Sequence, residues 1–238
     1  MEHIYAKYAE YAGSCSLDDF KSHQNYTPML EHVRQEYSLE YFNLLKSHMS
    51  NADISEFCKL NDAFGNPKRH IIPELSLGVS GTSLRYLFHA WIILTNRPES
   101  SPIVEVGCGY GGLCLAIDFL SKKLHRAIPS YTCIDLDGPL SLQKRYLSNF
   151  HLSFPVQFVA SSTYGSDIQG SDNFLVSSYC FSEISKVYQK KYIDVLFPKV
   201  SHGFIAWNNI PLYDFGKSGI RSEPERPMTG RGNLFVYF

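Results

Sequence analysis

Three glycines at alternate positions, Gly107, Gly109 and Gly111, follow a short apolar run that carries an acidic residue, Glu105. A helical pattern starts directly after them. Residues without a β-carbon let the backbone bend sharply and let a ligand lie against it, and the first amides of the next helix offer free N–H donors there. The chemistry is that of a nucleoside-bearing ligand held at a strand-to-helix turn. The glycines alone leave its identity open, because Gly107-x-Gly109-x-x-Gly112 also fits the dinucleotide fingerprint.

Glu105 is the residue that discriminates. A carboxylate at the strand end faces the pyrophosphate of a dinucleotide and repels it, but tolerates the ammonium and sulfonium of S-adenosylmethionine. Glu105-x-Gly-x-Gly-x-Gly therefore reads as the first motif of a class I methyltransferase. A second carboxylate, Asp135, closes the strand-like run Tyr131-Thr-Cys-Ile-Asp135, where either nucleotide fold binds ribose hydroxyls. Asp135 is also a natural turn former ahead of Gly138-Pro139. The dehydrogenase dyad Tyr213-x-x-x-Lys217 occurs, but Pro211, Gly216 and Gly219 break the helix it needs.

Methyl transfer to an alcohol needs its oxygen in line with the methyl group and its proton removed as the bond forms. In a parallel sheet, ligands bind at the carboxyl ends of the strands, which selects candidate bases by position. Glu183, after the fourth expected strand, is the first candidate, with Asp214 and His70 behind it. A carboxylate in the first turn of a helix is also stabilised by the helix dipole without any catalytic role. A divalent ion held by Glu183, Asn208 and Asn209 is a disfavoured alternative, since only one of the three is charged. Arg85, beside Ser83, is the expected bidentate partner of the donor's carboxylate. The expected donor-binding set is Ser83, Arg85, Glu105, Gly107, Cys108, Gly109, Tyr110, Gly111, Asp135, Leu136, Ser161 and Ser178, with no metal ligands.

These residues require an alternating α/β framework. From residue 102 onward strands and helices alternate, with strands expected at 103–106, 131–135, 156–160, 174–178 and 203–207. Residues 233–238 suit an antiparallel strand next to the sheet edge. The expected helix over 183–197 turns Ile184, Tyr188 and Val195 to one face and stops at Pro198. The first 95 residues look helical and free of strands. One stripe joins Leu30, Val33, Tyr37, Tyr41 and Leu44, and another joins Leu84, Leu87, Phe88 and Trp91. The division is an N-terminal helical cap over 1–95 and a donor-binding core over 96–238.

The 238 residues are 44% hydrophobic and carry a net charge of −1, enough for one α/β core with an appendage and without the basic footprint of nucleic-acid binding. Cys15, Cys58, Cys108, Cys114, Cys133 and Cys180 show no Cys-x-x-Cys pair and fit reduced thiols in a cytoplasmic protein. No apolar stretch is long enough to insert into a membrane, and no signal segment opens the chain.

From residue 64 to 238 the chain resembles the sugar O-methyltransferases found beside polysaccharide and glycan biosynthesis genes. The resemblance rests on Gly65-Asn-Pro67, Gly81-Thr-Ser-Leu-Arg-Tyr86, the glycine motif, Ile134-Asp-Leu-Asp-Gly-Pro-Leu-Ser-Leu-Gln143 with Tyr146-Leu147, Phe181-Ser-Glu-Ile184 and Glu225-Arg-Pro227. Asp137-Gly138 stands where related sequences carry proline, and Cys108 where glycine is common. The resemblance implies a Rossmann-like doubly wound sheet of order 3-2-1-4-5-7-6 with the last strand antiparallel. It also implies S-adenosylmethionine as donor, a sugar hydroxyl as acceptor, deoxyhexoses such as rhamnose among the acceptors, and association with glycosyltransferases. Methylation of a phenol or polyketide, or cofactor binding by a non-catalytic regulatory subunit, are the competing functions.

Overall fold

The computed structural model describes residues 2–238, with side chains from Tyr5 onward. Its helices are α1 (Glu2–Ser14), α2 (Thr27–Leu30), α3 (Gln35–Leu45), α4 (Asn51–Asn61), α5 (Gly81–Asn96), α6 (Gly112–Lys123), α7 (Asp137–Leu147), α8 (Cys180–Glu183) and α9 (Lys186–Val195). Its strands are β1 (His70–Ile72), β2 (Leu77–Val79), β3 (Ile103–Val106), β4 (Tyr131–Asp135), β5 (Val156–Ala160), β6 (Asn173–Ser178), β7 (Val200–Trp207), β8 (Arg221–Pro224) and β9 (Leu234–Tyr237).

Seven strands form one sheet in the order β5-β4-β3-β6-β7-β9-β8. Numbered from β3, this is the expected 3-2-1-4-5-7-6. Neighbours from β5 to β7 pair in parallel, while β9 runs against both β7 and β8. The fold is a Rossmann-like doubly wound sheet of the class I methyltransferase type.

Strand alternation sends successive side chains to opposite faces. Ile103, Tyr131, Cys133, Phe174 and Val176 meet α5, α6, α7 and the N-terminal helices in one core, while Val104, Val106, Ile134, Leu175 and Ile205 pack with Tyr192 and Leu196 of α9 in the other. Helix α6 is buried almost throughout and packs beside α5, whose His89 rests on Phe204 and Phe235 of the sheet. The opposite face has α9 and the loop 208–220, whose Phe215 packs on Phe181, Phe197 and Trp207.

Three expectations need correction. The first 95 residues contain an antiparallel hairpin, β1 with β2, turned by Ser76 in the left-handed region. β-Branched residues at Ile71, Ile72 and Val79 suit that ladder. The stripe from Leu30 to Leu44 is two helices, α2 and α3, separated at 31–34. The helix expected over 183–197 begins only at Lys186, and its inward face is Gln189 and Tyr192, continued by Leu196 at its C-cap; Tyr188 is exposed and Ile184 lies between α8 and α9. The register follows Gln189-Tyr192-Ile193-Leu196, a 3-4-7 spacing that the polar Gln189 disguises.

Candidate functional site

The turn between β3 and α6 has the geometry its glycines promise. Gly107, Gly109 and Gly111 all have left-handed backbone, with φ of 78°, 57° and 92°. A β-carbon on Gly107 collides with the Cys180 side chain, and one on Gly109 lies 2.9 Å from Leu30 Cδ1. The turn is thus pressed between α8 and the end of α2.

Asp135 sits at the end of the neighbouring strand and is tied to this turn. Its Oδ2 accepts from the Cys108 amide at 2.8 Å and from Gln143 Nε2 at 2.9 Å, and its Oδ1 accepts from the Leu136 amide at 2.8 Å. Gln143 also donates to the Gly109 carbonyl at 3.0 Å. Burial pushes the Asp135 carboxyl up to about 7, against these hydrogen bonds, which pull it down. A carboxylate has about four acceptor positions, so three internal bonds leave room for a ribose hydroxyl. Gln143 entered the sequence reading only as part of a motif; no local spacing marks its role.

Glu105 does not face a ligand. It shares the α5–α6 face of β3 with Ile103, is 2% exposed, and accepts from Tyr131 Oη at 2.7 Å. Burial pushes its carboxyl well above the usual range. The electrostatic argument that singled it out therefore fails, and its role is to join β3 to β4 inside the core.

Several other expected donor residues also turn inward. Tyr110 Oη accepts from Asn61 at 2.8 Å, and Ser83 Oγ donates to Asp62 Oδ1 at 2.5 Å while accepting from Asn61 Nδ2 at 2.6 Å. Lys21 is buried in the same network, donating to the Asn61 carbonyl at 2.6 Å and lying 4.3 Å over the Tyr110 ring; burial pulls its ammonium down to about 8. Ser178 Oγ sits 3.2 Å from His89 Nδ1 on α5. Leu136 caps α7 and is exposed, and Ser161 is half-buried in the turn after β5. Of Cys108 it is the amide that reaches the ligand edge, since its thiol points to the Glu105 carbonyl at 3.3 Å.

Arg85 is 4% exposed, not the surface arginine its helix position allows. Its guanidinium donates to the Leu30 carbonyl at 3.1 Å and lies 5.9 and 5.5 Å from the Tyr86 and Tyr179 rings. None of these partners is an anion, and a buried guanidinium with five donors is suited to receive one.

Glu183 stands at the carboxyl edge after β6, half-buried, with Asn208 Nδ2 donating to Oε1 and Tyr5 Oη of α1 donating to Oε2. Burial first, and then the Glu183 contact, push the Tyr5 phenol upward, so it stays a donor. Glu183 is the last residue of the four-residue α8, still within that helix's first turn, and it does not begin α9. The backbone N–H of Asn208 donates to Ser182 Oγ at 3.0 Å. The structure does not bring the other two base candidates to this group. Asp214 is exposed and accepts from the Gly216 amide at 2.7 Å in a turn. His70 lies in β1 against α3, with Nδ1 2.8 Å from Ser38 Oγ, and burial lowers its pKa. Among the described residues no three His, Cys, Asp or Glu side chains gather as a metal site. Among them no helix is long and apolar enough to cross a membrane.

No family model and no curated protein matches the chain. Solved structures that align with it include PKMT2 from Rickettsia typhi in complex with AdoHcy, at 20% identity and a TM-score of 0.39, over 53% of this chain and 25% of that one. The methyltransferase domain of bacterial CtHen1 aligns at 13% identity and a TM-score of 0.46, over 65% and 96% of the two chains. The mitomycin 7-O-methyltransferase MmcR aligns at 12% identity and a TM-score of 0.46, over 66% and 54%. The chain thus spans a quarter of the first structure and about half of the third. At these identities the likeness is one of fold.

Proposed function

We propose that this chain is an S-adenosylmethionine-dependent O-methyltransferase acting on a hydroxyl of a sugar, in a glycan or glycan precursor. The observation that carries the reading is the glycine turn after β3 tied to Asp135 after β4, in a sheet whose β9 runs antiparallel between β7 and β8. A dinucleotide fold has the sixth strand there in parallel. The sugar acceptor rests on the ordered motifs between residues 65 and 227 that resemble the sugar O-methyltransferases.

The donor supplies an electrophilic methyl group on a sulfonium. Asp135 fits its ribose and Arg85 fits its carboxylate, because one keeps an acceptor position and the other is a buried cation whose guanidinium hydrogen-bonds a carbonyl and no carboxylate. Glu183 takes the proton from the acceptor hydroxyl, with Asn208 and Tyr5 holding its carboxylate in one orientation. Residues 1–95 act as the cap that completes the acceptor pocket over the core of residues 96–238.

Calorimetry tests the donor: S-adenosylhomocysteine binds and NAD does not. Mass spectrometry of sugars and phenols incubated with S-adenosylmethionine tests the rest, with a one-methyl gain expected on a sugar. Tight NAD binding, or methylation of phenols alone, overturns the proposal.

A further inference from the structure

Helix α1 crosses the ligand edge of the sheet, and two contacts fix its course. Tyr5 reaches Glu183, after β6. One turn later, the Ala9 carbonyl lies against Gly138, after β4, so closely that a β-carbon there is excluded. Since β3 lies between β4 and β6 in the sheet, α1 passes over the carboxyl end of β3 and its glycine turn. Arg145 of α7 anchors the far end by donating to the carbonyls of Ala12 and Cys15.

Tyr8 lies between the two contacts, directly before Ala9. It is 7% exposed, its ring is 5.5 Å from that of Tyr26, and its hydroxyl has no hydrogen-bond partner among the described residues. The groups that act on it most strongly after burial are Asp135, Tyr86, Cys180 and Cys108, which surround the glycine turn. A buried hydroxyl without a partner is costly, and phenylalanine fills the same volume without that cost. Packing alone therefore gives no reason for the oxygen.

We propose that Tyr8 is a donor-binding residue supplied by the N-terminal helix, its hydroxyl hydrogen-bonding the nucleoside of the methyl donor beside Asp135. This rests on the donor assignment above. It makes α1 one wall of the donor site as well as of the acceptor site, and it assigns a role within residues 1–60, which carry none of the family resemblance.

The test compares the full chain with Tyr8→Phe, using S-adenosylhomocysteine as the probe. Calorimetry is expected to show affinity weakened roughly 5- to 30-fold, the scale of one hydrogen bond. The ligand-free melting temperature is expected to stay level or rise, which a structural tyrosine hydroxyl does not predict. Unchanged or tighter binding by Tyr8→Phe overturns the proposal, tighter binding meaning that the ring obstructs the site. In the wild-type protein, amide exchange across α1 is expected to slow on adding S-adenosylhomocysteine, and unaltered exchange also overturns it. If the wild-type chain fails to bind S-adenosylhomocysteine at all, the donor assignment itself is wrong, a result distinct from binding that ignores Tyr8.

Discussion

The proposed donor side and the proposed acceptor side of this edge are built in different ways. The donor side has a local centre, the turn 107–111 after β3 and Asp135 of the adjacent β4, joined by backbone amides, with Arg85 and Tyr8 proposed as its more distant contributors. The acceptor side is assembled from distant parts, with Tyr5, Glu183 and Asn208 meeting only when α1, α8 and the loop after β7 are all in place. Backbone-built sites tolerate side-chain change and depend on conformation. Sites built from distant side chains depend on the docking of each contributing element, so damage to the two sides separates in measurement.

The largest separation comes at Glu183. Glu183→Gln is expected to lower methyl transfer roughly 100-fold or more while S-adenosylhomocysteine binding stays within about threefold. A chelator leaves wild-type turnover unchanged if Glu183 acts as a base, and abolishes it if an ion is held there. Full turnover by the variant with saturating acceptor removes Glu183 from the reaction.

Asp135→Asn should do the reverse, weakening S-adenosylhomocysteine by about 1–3 kcal/mol, the range for hydrogen bonds to a charged group. Its pH dependence sharpens the contrast. Burial raises the folded carboxyl to about 7, above its unfolded value, so its contribution to stability is full below the unfolded pKa and is lost as pH rises toward 7. Donor affinity runs the other way, growing across the same range as the carboxylate ionises and accepts the ribose hydroxyls. Calorimetry between pH 5.5 and 8 on wild type and Asp135→Asn reads this directly; parallel profiles for the two proteins contradict it.

Gly138→Ala is expected to destabilise the protein by about 1–3 kcal/mol in urea unfolding, because the added methyl meets the Ala9 carbonyl and α1 must shift. The smallest effect is assigned to Tyr5→Phe, a several-fold loss of turnover with donor affinity retained, since Asn208 still holds the other carboxylate oxygen. A Tyr5→Phe variant that loses donor affinity instead assigns Tyr5, like Tyr8, to the donor side of α1.

The same contrast explains what could be read in the sequence. The glycine turn, Asp135 and the strand positions were legible because glycine spacing, apolar runs and helical stripes are local signals, while the strand order came with the family resemblance. Glu105 was misread although its orientation was available: it shares strand parity with Ile103, which faces the α5–α6 layer. The inward face of α9 was missed because Gln189 is polar yet buried, donating to the carbonyls of Phe181, Ser182 and Ile184. The β1–β2 hairpin has strands of three residues each, too short for a periodic signal. Nothing near Tyr5 announces Glu183, since that pairing depends on the path of α1 over the assembled sheet.

Strand β9 has a consequence for biogenesis. β8 pairs with β9 alone within the sheet, yet β9 is made after it and must slot between β8 and β7. A nascent chain that has emerged through residue 224 therefore carries β7 as an open hydrophobic edge, with Phe204, Ile205 and Ala206 awaiting their partners. Synthesis passes through an adhesive stage that ends only when residues 234–237 arrive, so a pause in translation over 225–233 prolongs the interval in which two nascent chains can pair with each other.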